Sequence, residues 1–216
     1  MFHKEGFHVI TIAAIILVIG IVILDDVTDT YLIQKITQIS VLLPFLLVLY
    51  FYRNPKRTTA HSEQHIIAPI DGTIMLISEI EESDYFHDKR VKITLRMSHS
   101  NARIIRYPCS GLIRHSASIK TKKETFLKKN TSKEKEHTSV IISTKQFGDV
   151  LYQQITGICG KRIVNYASQG NQAIQGQDAG FMKFQSTIDL ILPVHTKICV
   201  NVGDKVKAGK HILGSA

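Results

Sequence analysis

MKFQSTIDLILP, residues 182–193, carries a Ser-Thr pair directly ahead of an aliphatic run interrupted by one acid, Asp189. Hydroxyl residues leading into alternating apolar positions and closed by Pro193 predict a strand with Ser186 at its mouth. Seven similar runs surround it: GTIMLISEI (72–80), RVKITLRMS (90–98), GLIRHSASI (111–119), TSVIIST (138–144), GDVLYQQIT (148–156), KRIVNYAS (161–168) and TKICVNV (196–202). Gly, Asp, Asn and Pro separate them, and no segment after Pro55 holds a helical period for long. The expected fold is a β-dominated domain, barrel or sandwich.

An internal echo lies within this region. Gly170 to Gly176 and Gly203 to Gly209 share a Gly-x5-Gly frame, 33 residues apart. Each is expected to end a strand in a tight turn, where glycine takes positive φ without steric cost. The pattern G-D-x-V-x-x-G resembles the hammerhead turns of biotinyl and lipoyl domains, which are built from two quasi-symmetric β halves.

The first quarter of the chain is different. VITIAAIILVIGIVIL (9–24) and ISVLLPFLLVLYFY (39–52) contain no charge. Extended by their flanks, each approaches the roughly 20 residues needed to cross a bilayer. DDVTDTY follows the first run where a cleaved signal peptide would carry small residues. The expectation is a two-span membrane anchor over residues 1–57 and a β domain over 58–216. Lys4 precedes the first span, Arg53, Lys56 and Arg57 follow the second, and Asp25, Asp26 and Asp29 lie between them. By the positive-inside rule both ends, and the β domain, face the cytoplasmic side of the cell membrane.

The net charge is +9, and residues 101–145 hold eleven Lys or Arg against three Glu. That block suits an anionic surface, or no more than a solvated loop. It lacks the interleaved aromatics of a single-strand nucleic-acid groove, which counts against nucleic acid as the anionic partner. Cys109, Cys159 and Cys199 are too widely spaced for a disulfide framework or zinc site, and no metal constellation is expected among the ten histidines.

Five segments, in order, resemble the phosphatidylserine decarboxylase family in its short bacterial form: FYRNPKR (51–57), APIDGTI (68–74), RYPCSG (106–111), GKRIVNYASQG (160–170) and FMKFQSTIDLILP (181–193). The resemblance implies a proenzyme that cuts itself between Gln185 and Ser186. The Ser186 hydroxyl attacks the preceding carbonyl, the amide becomes an ester, and β-elimination splits the chain. A β chain of residues 1–185 and an α chain of 186–216 then stay together as a heterodimer, with Ser186 converted to a pyruvoyl group. That group forms a Schiff base with the substrate amine and acts as an electron sink during loss of carbon dioxide. The implied reaction turns phosphatidylserine into phosphatidylethanolamine in the membrane, with Asp71 as partner in activating Ser186. Arg106 and Arg162 have the fork geometry to bind an anionic headgroup.

The chain departs from the family at the reactive positions. NARIIR (101–106) puts Arg103 where the family has a histidine, and arginine accepts no proton at physiological pH. Gln185 stands where glycine is usual, and the Glu-Asn-Glu-Arg loop is EKEH (134–137). His99 and His115 are the substitute bases nearest in sequence. The departures leave an alternative, a non-catalytic, membrane-anchored relative that binds anionic lipid or a partner. A third reading, from the Met182-Lys183 pair, is a biotin or lipoyl carrier acylated at Lys183.

Overall fold

A computed structural model describes residues 2–27, 31–97, 101–121, 135–156, 163–182 and 186–216. Two compact units divide the chain, residues 1–56 and 57–216.

The first unit is a helical pair. A 3-10 turn at Lys4–Gly6 leads into α1 (Phe7–Val27), which packs against α2 (Tyr31–Phe51). Gly6 is required where the pair closes, because a Cβ there would stand 2.6 Å from the Tyr52 side chain. The His3 N–H donates to the Tyr52 carbonyl at 2.9 Å. The stretch Lys4–Ile23 has a mean hydropathy of 2.8 and is long and apolar enough to cross a membrane. Among the described residues the apolar part of α2 is Gln38–Phe51, and Pro44 sits inside it. Lys35, near the start of α2, instead bonds Gln38 at 3.4 Å. The second predicted span is therefore a full-length helix with a shorter apolar stretch than the first.

The second unit is built of strands. In chain order they are β1 (His65–Ile67), β2 (Gly72–Glu82), β3 (Asp88–Arg96), β4 (Ile104–Arg106), β5 (Gly111–Thr121), β6 (Lys135–Thr144) and β7 (Gly148–Thr156). They continue with β8 (Ile163–Asn165), β9 (Gln172–Ala173), β10 (Asp178–Met182), β11 (Ser186–Pro193), β12 (Lys197–Ile198), β13 (Lys205–Val206) and β14 (Ile212–Ser215). An eight-stranded antiparallel sheet runs β13-β2-β3-β11-β7-β6-β5-β9, beside two three-stranded sheets, β1-β14-β12 and β4-β10-β8. Five strand spacings separate β2 from β5, about 24 Å in a flat sheet. Tyr85, in the β2–β3 turn, nevertheless lies 5.3 Å from the His115 ring of β5, so the sheet curls into a half-barrel.

β11 lies in the middle of that sheet and is buried on both faces. Ile188, Leu190 and Leu192 join the main core with Ile93, Leu95, Tyr152 and residues of the small sheets such as Ile105 and Met182. Ile191 faces the other way, into a cluster with Ile141 and Leu151 under Tyr85 and Phe86. The strand therefore shows a continuous apolar run, its one acid excepted.

The Gly-x5-Gly frames mark a quasi-symmetric pair. Gly170, Gly176, Gly203 and Gly209 all take positive φ, between 75° and 97°. The first frame holds β9, which pairs with Gly111 and Leu112 of β5; the second holds β13, which pairs with Gly72 and Thr73 of β2. Pro-x-x-Gly precedes each partner strand, as Pro69-Ile-Asp-Gly72 and Pro108-Cys-Ser-Gly111. The Asp71 carboxylate accepts the Ala208 N–H at 2.8 Å, and the Ser110 hydroxyl accepts the Gln175 N–H at 3.0 Å. Corresponding side chains thus anchor corresponding turns.

The glycine of the Asp71 motif is steric in origin. A Cβ on Gly72 would stand 2.5 Å from the Arg96 carbonyl oxygen in β3. Gly72→Ala is expected to cost about 1–3 kcal/mol, read as a lower midpoint of unfolding, because backbone must move to admit the methyl. An unchanged midpoint would mean that β2 and β3 separate without cost at that point.

Candidate active site around Ser186 and Asp71

Ser186 opens β11 opposite Thr156 of β7, and its carbonyl accepts the Met97 N–H at 3.1 Å. It is 4% exposed and shares a face with Ile188 and Leu190, so its side chain belongs to the main-core side. Asp71 sits on the far side of β3. Thr73 and Thr187 both pair with Arg96, which sets Asp71 and Ser186 on either flank of one strand end. Two strand spacings, about 10 Å, separate the flanking backbones.

The chain between them carries Arg103. Asp71 accepts the Ala102 backbone N–H, and the next residue's carbonyl, that of Arg103, accepts the Met182 N–H at 2.9 Å. The Asp71 motif, the family's histidine slot and the strand leading to Ser186 are thereby brought to one place by consecutive backbone bonds. Gln185, Lys183, His99 and Arg162 lie outside the described residues.

Asp71 is fully engaged. Arg57 donates Nη1 to Oδ1 at 2.5 Å and Nη2 to Oδ2 at 2.6 Å, a bidentate fork, and Nη1 also reaches the Ala208 carbonyl at 2.7 Å. Burial pushes the carboxyl up, but the Arg57 hydrogen bond, the Ala208 and Ala102 N–H groups and the Arg57 charge outweigh it. The net effect holds Asp71 below its ordinary range. The sequence groups Arg57 with the basic residues at headgroup level; its role as the acid's partner spans 14 residues and has no local signal.

Arg106 is buried on β4, with Nη1 on the Gly176 carbonyl at 2.7 Å and Asp178 at 3.6 Å. Burial pulls its guanidinium below the ordinary value, and the Arg57 charge adds to this against Asp178 and Asp71. Together with Arg57, Thr59, His61 and Asp178 it lines an open cleft of about 510 Å³.

His115 is not brought to Ser186. It pairs across to Ile141, then Leu151, then Ile191, which places it three strands away and level with a residue five positions along β11. Asp189 faces away from the main core, holding Thr94 Oγ1 at 2.8 Å and Lys92 Nζ at 3.2 Å, as a residue of the strand's fabric.

The site thus combines a buried serine opening a central strand with an acid–arginine pair at the neighbouring strand end. The sequence profile of phosphatidylserine decarboxylase matches residues 45–214. Curated proteins named phosphatidylserine decarboxylase proenzyme are similar over nearly the whole chain. That of Cytophaga hutchinsonii is 32% identical, covering 98% of this chain and 96% of its own. That of Amoebophilus asiaticus is 32% identical, covering 98% and 94%. That of Parabacteroides distasonis is 34% identical, covering 94% and 93%. No solved structure matches. The chain belongs to the phosphatidylserine decarboxylase family.

Proposed function

We propose that this protein cuts itself between Gln185 and Ser186 and uses the resulting pyruvoyl group to decarboxylate phosphatidylserine. Ser186 Oγ attacks the Gln185 carbonyl and takes over the acyl group as an ester. Loss of the Ser186 Cα proton then breaks the Cβ–Oγ bond, releasing residue 185 as a carboxylate. Water converts the remaining enamine to a carbonyl with loss of ammonia. When formed, that carbonyl supplies the electron sink for carbon dioxide loss.

The observation that carries this reading is Ser186 itself, dry and fixed at the head of a strand paired on both sides. A reactive carbonyl held there is shielded from bulk water and keeps a single orientation. Asp71 orients the chain around the site, and its lowered pKa keeps it ionised at neutral pH. Arg103 cannot take the serine proton, but a guanidinium provides donors for an oxyanion. Of the two histidines that could act as base, His99 alone belongs to the segment joining β3 to Arg103. Arg106, in the cleft beside Arg57, and Arg162 are the headgroup-binding side chains in this reading. The helical pair holds the domain at the cytoplasmic face of the cell membrane, and the two fragments remain one heterodimer. The Gly-x5-Gly turns serve as hammerheads of the biotinyl type.

Two features favour a second reading, in which the scaffold persists without self-cleavage. Arg103 fills the histidine slot, and the Asp71 carboxylate is already committed to Arg57. A denaturing gel of the membrane-expressed chain, with fragment mass, separates the two. A C-terminal fragment starting at a pyruvoyl-blocked residue 186 is expected. Only full-length protein after long incubation would sink the enzyme reading. In that event, a fragment appearing in the Arg103→His, Gln185→Gly variant would establish the second one. A biotin or lipoyl increment on Lys183 would instead mark a carrier.

A further inference from the structure

Beside Ser186, the core face of the sheet carries buried polar side chains that lack a well-formed hydrogen bond. Alternate residues of a strand share a face, so Tyr152, Gln154 and Thr156 of β7 stand with Leu190, Ile188 and Ser186 of β11, to which they are respectively paired. Gln154 is fully buried, and neither its amide nitrogen nor its carbonyl oxygen has a hydrogen-bond partner. Thr138, opposite it on β6, is equally buried and its hydroxyl equally unpartnered. The Tyr152 phenol and the Gln154 carboxamide interact, which partly offsets the rise that burial imposes on the phenol, but they are too poorly aligned to satisfy either group.

Such burial is costly. A desolvated amide or hydroxyl left unbonded costs roughly 1–3 kcal/mol, which a leucine or valine of similar size would avoid. The fold therefore gains nothing from the polarity of these two side chains. Their placement points to a partner that the uncut chain lacks. Ser186 is opposite Thr156, and Gln154 is two residues from Thr156, so the two are diagonal neighbours across the strand pair. Diagonal Cα atoms lie about 7–8 Å apart, within reach of a long side chain.

We propose that the Gln154 amide N–H, backed by the Thr138 hydroxyl, is the hydrogen-bond donor to the carbonyl that self-cleavage creates at residue 186. This rests on the cleavage reading above. Cutting leaves a methyl where the hydroxymethyl stood and exchanges the residue-186 amide nitrogen for a carbonyl oxygen, so a donor becomes an acceptor in a dry place, and the freed chain end can turn that oxygen toward the face the hydroxyl occupied. Gln154 supplies donors there before the acceptor exists. A neutral amide does so without the uncompensated charge that an ammonium would bring into the core. The bond polarises the carbonyl for attack by an amine and fixes the face it presents.

The test uses the full chain in detergent, with phenylhydrazine as a carbonyl probe and its adduct on the residue-186 fragment followed by mass. Gln154→Leu is expected to be cut to the wild-type extent, to unfold at an unchanged or higher midpoint, and to label roughly ten times more slowly. Thr138→Val, nearly isosteric, should slow labelling a few-fold, which keeps the test alive should Gln154→Leu misfold. Gln154→Glu should label slowly at neutral pH and recover as the pH falls, because the protonated carboxyl donates and the ionised one does not. A purely structural glutamine would lower the unfolding midpoint and leave the pH dependence of labelling the same as in the wild type. Labelling of Gln154→Leu at the wild-type rate, or its failure to be cut while the wild type is cut, overturns the assignment alone. An uncut wild-type chain overturns the cleavage reading, and this inference with it.

Discussion

Replacing Ser186 by alanine is expected to leave the chain entirely uncut, with no C-terminal fragment and no decarboxylation at any incubation time. The substitution removes one oxygen from a residue that is 4% exposed, so the strand and its two ladders should persist. Nothing nearby in sequence replaces the lost nucleophile. Thr187, the adjacent hydroxyl, points to the opposite face of β11, where it pairs with Arg96 and Ile155. Cleavage chemistry that depends on a hydroxyl at one place on one face does not tolerate a shift of one residue. A fragment in Ser186→Ala, of whatever size near residue 186, would show that another group starts the reaction. Denaturing gel and intact mass give the answer directly.

Arg57→Leu should have the largest effect on stability. The two side chains are 11% and 13% exposed, and the arginine answers both carboxylate oxygens of Asp71. Removing it leaves a largely buried carboxylate with backbone donors and the Arg106 charge alone, a loss of about 3–5 kcal/mol for breaking a pair of this kind. The pH dependence follows from the direction of the Asp71 shift. Its folded pKa lies below the ordinary 3.8, so the pair's contribution is fully present above about pH 4. It is lost as the pH falls through the folded value. Without Arg57, the upward push of burial is less opposed, and acid destabilisation should begin at higher pH. Adding Asp71→Leu to Arg57→Leu removes the stranded charge and should recover part of the loss. Unfolding midpoints measured from pH 3 to 8 on the three chains test this. Equal midpoints for wild type and Arg57→Leu across that range would refute it.

How far the sequence reaches depends on whether local pattern or distant pairing decides an element. The long strands were legible because alternation and turn residues are local. GTIMLISEI, GLIRHSASI, GDVLYQQIT and TIDLILP all fall within observed strands. KRIVNYAS and TKICVNV are described only as the short β8 and β12, because their partners in the small sheets, β10 and β14, pair with them for two or three residues. The two-residue strands β9 and β13 had no apolar signature of their own; only the glycine frames enclosing them did. Among the described residues the apolar part of α2 begins only at Gln38, after Lys35, which a composition window extended by its flanks passes over.

At the site, Ser186, Asp71 and the Arg103 slot were singled out through motif order, and hydrogen bonds link Asp71 to Ala102 and Arg103 to Met182. Arg57 was missed because an ion pair spanning 14 residues leaves no periodic trace. Gln154 was missed for another reason. In the pair Gln153-Gln154 one side chain reaches Ser139 on one face and the other is sealed in the core. Only the register with β11 tells them apart. His115 shows the converse, since closeness in sequence to the Arg106 turn did not bring it near Ser186.

The paired turns differ in what their anchors require. Ser110 anchors the Gln175 turn with a neutral hydroxyl, while Asp71 anchors the Ala208 turn with a carboxylate that then requires Arg57. The neutral version shows that the turn itself has no need of charge. The ion pair is therefore a demand of the Asp71 end alone, and its loss should loosen the Ala208 turn while the Ser110-anchored turn keeps its bond.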